Sequence, residues 1–209
     1  MIGTNVAAGQ RVVGSAELDA VTIDAFGTLL ELRNPAASLA RELPGYGREA
    51  IDRAFRAEAA YYAERSHLGR DAESLSRLRD DCAKVFNAEL GSSLSGEEYV
   101  AALEFEWVEG ALEAIERLRR RGLALAVVSN WDISLVERLA PLGIAVVTSA
   151  EAGAPKPDPA AFRLALDRLG VASERTLHVG DGESDALDAA AAGVLFAEAP
   201  LADVDREWS

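Results

Sequence analysis

Four short stretches of this 209-residue chain carry side chains that can do chemistry, and each follows an apolar run. Asp24 closes the first, Ala20-Val21-Thr22-Ile23, and precedes the turn residues Gly27 and Thr28. A carboxylate is already ionised at neutral pH, and attack through it splits a hard displacement into two easier steps by way of a covalent ester. Ser129 and Asn130 close a second run, where side-chain and backbone hydrogen bonds can reach anionic oxygens at the start of a following helix. Lys156 lies between Pro155 and Pro157, which fix the backbone and hold the origin of its side chain. A buried ammonium beside the reacting group neutralises the charge on nucleophile and substrate. Asp181 and Asp185 follow the fourth run. A hard cation such as Mg²⁺ takes one or two carboxylates together with substrate oxygens and waters, so these two and Asp24 form a candidate magnesium site. Each group also has a plainer reading: a turn-capping aspartate, a solvated loop lysine, and two acidic residues complementing a helix dipole.

These residues need elements to hold them. Ala20–Asp24, Leu123–Ser129, Ile144–Ser149 and Thr176–Gly180 are short and apolar and end in small or polar residues, as buried strands do. Between them lie helical patterns: Gly110–Arg121, with Leu112, Ile115 and Leu118 as a stripe, and Asp158–Gly170, with Pro159 at its first position. Strands alternating with helices predict an α/β fold, a Rossmann-like parallel sheet with helices on both faces. Ligands of such sheets bind at the carboxyl ends of the strands, where the four chemical stretches fall. Residues 34–107 break the alternation with helical stripes (Ile51, Phe55, Ala59 and Tyr62; Leu75, Leu78, Cys82, Val85, Phe86 and Leu90) and no convincing strand. They predict an all-helical cap inserted in a core made of 17–33 and 108–209, with 1–16 as a flexible tail.

Composition narrows the function classes. The net charge of −14 repels a polyanion, which argues against nucleic acid as a partner. No apolar run reaches about 18 residues, so no membrane partner is expected. Cys82 is the single cysteine, which excludes a disulfide framework and a multi-cysteine metal site. Residues 1–15 lack the apolar core of a signal peptide, and a cytoplasmic location is expected. A small anionic substrate fits this chemistry, on a monomer or homodimer.

Asp24-Ala25-Phe26-Gly27-Thr28, Ser129-Asn130, Lys156-Pro157-Asp158-Pro159 and Gly180-Asp181 with Asp185 resemble, in order, the four motifs of the haloacid dehalogenase superfamily. The resemblance implies a hydrolase in which Asp24 is the nucleophile, with Lys156, Thr28 and Ser129 as further catalytic candidates. It places Ser129, Asn130 and Lys156 at the substrate. It adds the backbone carbonyl of Phe26 to Asp24, Asp181 and Asp185 as ligands of Mg²⁺, and Asp185 would orient the metal's water or Lys156.

One position departs from the family's phosphatases, which carry an acid two residues after the nucleophile where this chain has Phe26. A phenyl ring cannot transfer a proton, and the missing step contributes about 10²–10⁴-fold. Asp132, Glu183, His67, Tyr61 and Tyr62 are the residues that could replace it. The dehalogenase branch, whose halide leaves without a proton, is similar at Asp24-Ala25-Phe26-Gly27-Thr28, and Arg56 resembles its halide-binding arginine. Asp181 tips the expectation to a phosphatase, because an extra carboxylate without a cation would repel both nucleophile and haloacid. A catalytically impaired protein that binds a phosphorylated ligand or a partner is the reading from a different class.

Overall fold

A computed structural model describes residues 18–204, and the expected tail at 1–16 lies outside them. The first strand, β1 (Ala20–Ile23), is buried along its whole length, which is why it reads as a continuous apolar run and not an alternating one. Beyond the Asp24 loop a short strand, β2 (Leu30–Leu32), leads into four helices: α1 (Pro35–Glu42), α2 (Arg48–Arg65), α3 (Ala72–Leu90) and α4 (Gly96–Ala101). The chain returns through β3 (Phe105–Trp107), antiparallel to β2 with Leu30 opposite Trp107. This strand corrects the expectation of none between 34 and 107. Three half-exposed residues are too few to show a period of two.

Local chemistry starts the inserted helices. Asp71 and Ser74 form a reciprocal capping box on α3, as do Ser95 and Glu98 on α4. Leu39, Ile51, Phe86 and Tyr99 then pack into a core of their own. The stripe on α2 is rotated from the expected one. Ile51, Ala54 and Glu58 are buried, while Phe55, Ala59 and Tyr62 are half-buried.

Back in the larger unit come α5 (Ala111–Arg120), β4 (Ala124–Ser129), α6 (Ser134–Leu139), β5 (Ala145–Thr148) and α7 (Ser149–Ala152). They are followed by α8 (Ala160–Leu169), β6 (Thr176–Gly180), α9 (Glu183–Ala192), β7 (Leu195–Glu198) and α10 (Leu201–Val204). The sheet has the order β5-β4-β1-β6-β7 with every pair parallel. Ile115 and Leu118 of α5 and Leu135 of α6 cover one face; Phe162 and Ala165 of α8 and Ala189 of α9 cover the other. The α/β arrangement with a helical insertion is therefore the one expected. A fifth strand, β7, adds to the four anticipated, because its half-buried Leu-Phe-Ala-Glu has little strand signal. Helix α8 has Ala160 and not Pro159 as its first residue, since the Asp158 carboxylate accepts from the Ala160 N–H (2.9 Å) in a turn.

Candidate active site

Because β1 is flanked by β4 and β6, the residues leaving these three strands meet at one edge. Asp24, just past β1, is buried and fixed through its N–H to the Val179 carbonyl of β6 (2.8 Å). Lys156 reaches it from the loop after α7 and is itself buried. Its Nζ donates to Asp24 Oδ1 at 2.8 Å and to Asp185 Oδ1 at 2.7 Å, and stands 3.7 Å from Asp188 Oδ2. Asn130 sets the origin of that side chain. Its Oδ1 accepts from the Lys156 N–H (2.7 Å) and its Nδ2 donates to the Lys156 carbonyl (3.2 Å).

Asp24, Asp181 and Asp185 offer oxygens within 4.8 Å of one another, the outer two buried and Asp181 exposed. The chain just after the Phe26 carbonyl is pressed against this group. Gly27 has φ +78°, and a Cβ on it would stand 1.9 Å from Asp181 Oδ2, so both backbone and space demand glycine there.

Three carboxylates face one ammonium, with Asp181 beside them, and the shifts follow from that imbalance. Burial alone would pull the Lys156 ammonium down, but the charges of Asp24 and Asp185 outweigh it and hold it above its ordinary value. Burial would likewise push the Asp185 carboxyl up, yet it is held well below its usual range by His178 and Lys156. Of these two, Lys156 is the firmer partner, since His178 Nε2 stands 3.6 Å from Oδ1, beyond hydrogen-bond reach. Asp181 is raised by burial and by the charges of Asp24 and Asp185. Burial also raises Asp188, with Lys156 opposing and Asp185 adding to it. An all-oxygen set with surplus negative charge and one exposed member is what a hard divalent cation requires.

The remaining expected residues divide. Ser129 is buried at the end of β4, and Thr28 is fully buried with its hydroxyl lacking a hydrogen-bond partner among the described residues. Asn130, expected at the substrate, uses its amide on the Lys156 backbone. Arg56, also expected there, is exposed on α2 and pairs with Asp52 one turn earlier. Asp132 accepts from the Tyr62 hydroxyl (2.8 Å) and the Ser134 N–H (2.8 Å), tying α2 to the loop after β4. Asp188 is the residue the sequence reading missed. Its signal was the i+3 spacing from Asp185, which puts both on one face of α9. His178 is a core residue as expected, fully buried, with Nδ1 3.0 Å from Thr22 Oγ1.

A nucleophile-type carboxylate, its ammonium and an acidic cluster at the carboxyl edge of a doubly wound sheet define a class of hydrolases. The family description for haloacid dehalogenase-like hydrolases matches residues 18–193, and the chain belongs to that family. Several curated relatives are matched over only about a third of their own length. Haloacid dehalogenase-like hydrolase domain-containing protein 3 of Mus musculus is 42% identical over 90 residues, 41% of this chain and 36% of that protein. Phosphoserine phosphatase of Thermus thermophilus is 46% identical over 83 residues, 36% and 33% of the two chains. Haloacetate dehalogenase H-2 of Moraxella sp. is 27% identical over 190 residues, 85% of this chain and 83% of that one. The crystal structure of an L-2-haloacid dehalogenase superposes with a TM-score of 0.67 at 25% identity, covering 86% of this chain and 85% of its own.

Proposed function

We propose that this hydrolase is a Mg²⁺-dependent phosphatase that releases phosphate from a small phosphorylated metabolite in the cytoplasm, through an aspartyl-phosphate on Asp24. The observation that carries the reading is the triad of Asp24, Asp181 and Asp185 within 4.8 Å, beside the Lys156 contact. When bound, Mg²⁺ would be held by these three carboxylates and the Phe26 carbonyl, and would neutralise the phosphoryl oxygens and the nucleophile. Lys156 fixes the rotation of the Asp24 carboxylate through Oδ1 and supplies positive charge where negative charge builds in the transition state. Asn130 keeps that ammonium in place by holding the Lys156 backbone. The unpartnered Thr28 hydroxyl and Ser129 are the groups left to donate to substrate oxygens. The helical insertion at 34–107 serves as the cap that excludes water. The phosphoserine phosphatase of Thermus thermophilus supports this reading.

A second reading, 2-haloacid dehalogenase, draws on the Moraxella haloacetate dehalogenase, matched over 83% of its length, and on the apolar Phe26. The acidic cluster weighs against it. Without a cation, Asp181 beside Asp24 opposes the approach of another carboxylate.

A panel of phosphate monoesters, acyl phosphates and 2-haloacids, assayed with and without Mg²⁺, separates the two. Phosphate release that needs Mg²⁺ and is abolished by Asp24→Asn and by Asp181→Asn is the expected outcome. Metal-independent halide release without phosphate release from any ester would overturn it.

A further inference from the structure

We propose that the chain selects phosphoryl donors whose leaving oxygen is bonded to an sp² carbon, as in aryl, enol and acyl phosphates, with Phe26 setting the selection. This rests on the phosphatase reading above and specifies its substrate class.

An alkoxide leaving group needs a proton from a group within hydrogen-bond reach. Among the described residues at the carboxyl edge, Glu183 in the first turn of α9 is turned out to solvent, and the other acids and Tyr62 are engaged within the cluster or with Asp132. Lys156 donates to Asp24 and Asp185, and Asp188 faces the same ammonium. Asp181 and Asp185 belong with Asp24 to the carboxylate triad. Both Asp132 oxygens are used, one of them by the only proton of Tyr62.

What the site offers instead is a ring. Phe26, two residues past Asp24, is 47% exposed. It stands 6.4 Å from Trp131, which in turn stands 5.6 Å from Phe105, so it is the exposed end of an aromatic row running from the β1 loop past the loop after β4 to β3. A flat unsaturated group stacks on such a ring and covers apolar surface that water otherwise wets.

The chemistry balances without an acid. An Asp24 oxygen bonds to phosphorus as the bond from phosphorus to the leaving oxygen breaks, and the electron pair departs on a resonance-stabilised aryloxide, enolate or carboxylate. Water then attacks phosphorus, and the bond to Asp24 breaks with its pair returning to the carboxylate. Both protons of that water finish on the phosphate, so ester dianion and water give the leaving anion and dihydrogen phosphate.

The test is kcat/KM in Mg²⁺ for a series of substituted phenyl phosphates, with cyclohexyl phosphate as the saturated match and acetyl phosphate and phosphoenolpyruvate as acyl and enol arms. We expect kcat/KM to fall steeply with rising leaving-group pKa, and cyclohexyl phosphate to lie about 10²-fold or more below phenyl phosphate. Phe26→Asp, which restores a carboxyl, narrows that gap by about 10-fold or more. Phe26→Leu keeps the slope and raises KM for the aryl series, which guards against a misfolded aspartate variant. Phenyl and cyclohexyl phosphates turned over within about threefold of each other would overturn the inference, since an acid must then be present. A steeper slope in His67→Asn would overturn it too, by showing that the imidazole gives the proton. Release of phosphate from none of these esters refutes the phosphatase reading itself, an outcome distinct from both.

Discussion

Replacing Lys156 by methionine keeps most of the side-chain volume and removes the ammonium from a cluster of four carboxylates. Its Nζ lies 2.8, 2.7 and 3.7 Å from Asp24, Asp185 and Asp188, and its side chain is 4% exposed, so little water can substitute. Deleting one partner of a buried pair costs about 3–5 kcal/mol. At about 2–4 °C per kcal/mol for a chain of this size, the melting midpoint falls by about 6–20 °C. The pH dependence gives the sharper check. Asp185 is held below its ordinary value, so it contributes stability above the ordinary carboxylate pKa and loses it as pH falls through the lowered folded value. In Lys156→Met the part of that depression due to Lys156 is gone, and only His178 still lowers Asp185. The cluster is then governed by burial and mutual repulsion, which already raise Asp181 and Asp188. A carboxyl raised in the folded state destabilises at high pH and is relieved on acidification, so the deficit of the variant shrinks as pH falls. Urea unfolding of both proteins without divalent ions, at about pH 7.5 and about pH 5, reads this directly. A deficit below about 1 kcal/mol at the higher pH, or one equal at both, refutes the account of Lys156 as the charge that holds the cluster together.

Two further substitutions test how the edge is held. Tyr62→Phe removes the donor to buried Asp132 and is expected to cost about 1.5–3 kcal/mol in equilibrium unfolding, with the loss reduced in an Asp132→Asn background; additive losses would show that the contact carries no energy. Gly27→Ala forces a Cβ into the Asp181 carboxylate at φ +78° and is expected to cost about 1–3 kcal/mol. It should also abolish the rise in melting midpoint expected of the unmodified protein on adding Mg²⁺, whereas an equal Mg²⁺ response in both would separate Gly27 from the proposed cation site.

The sheet was legible in the amino-acid sequence, because β1, β4 and β6 are buried on both faces and so are mostly apolar, and the chemistry sits in the loops that leave them. The sequence determined Asp24, Lys156, Asp181 and Asp185 as a set, since each follows or approaches a strand end in a parallel sheet. Short or half-exposed elements were beyond it: β3 and β7 bury too little for their composition to announce them. Arg56 shows the limit most plainly. Helical spacing sets Arg56 one turn from Asp52, but only the packing of α2 decided that this pair lies on an exposed face. Asp188, Tyr62 and Asn130 acquired their partners the same way, from residues 26 to 70 positions distant in the chain being brought within hydrogen-bond or ionic reach. Periodicity records how much of a side chain is buried. Which carboxylate an ammonium touches, and which amide holds that ammonium's backbone, are fixed only when the strands are laid side by side.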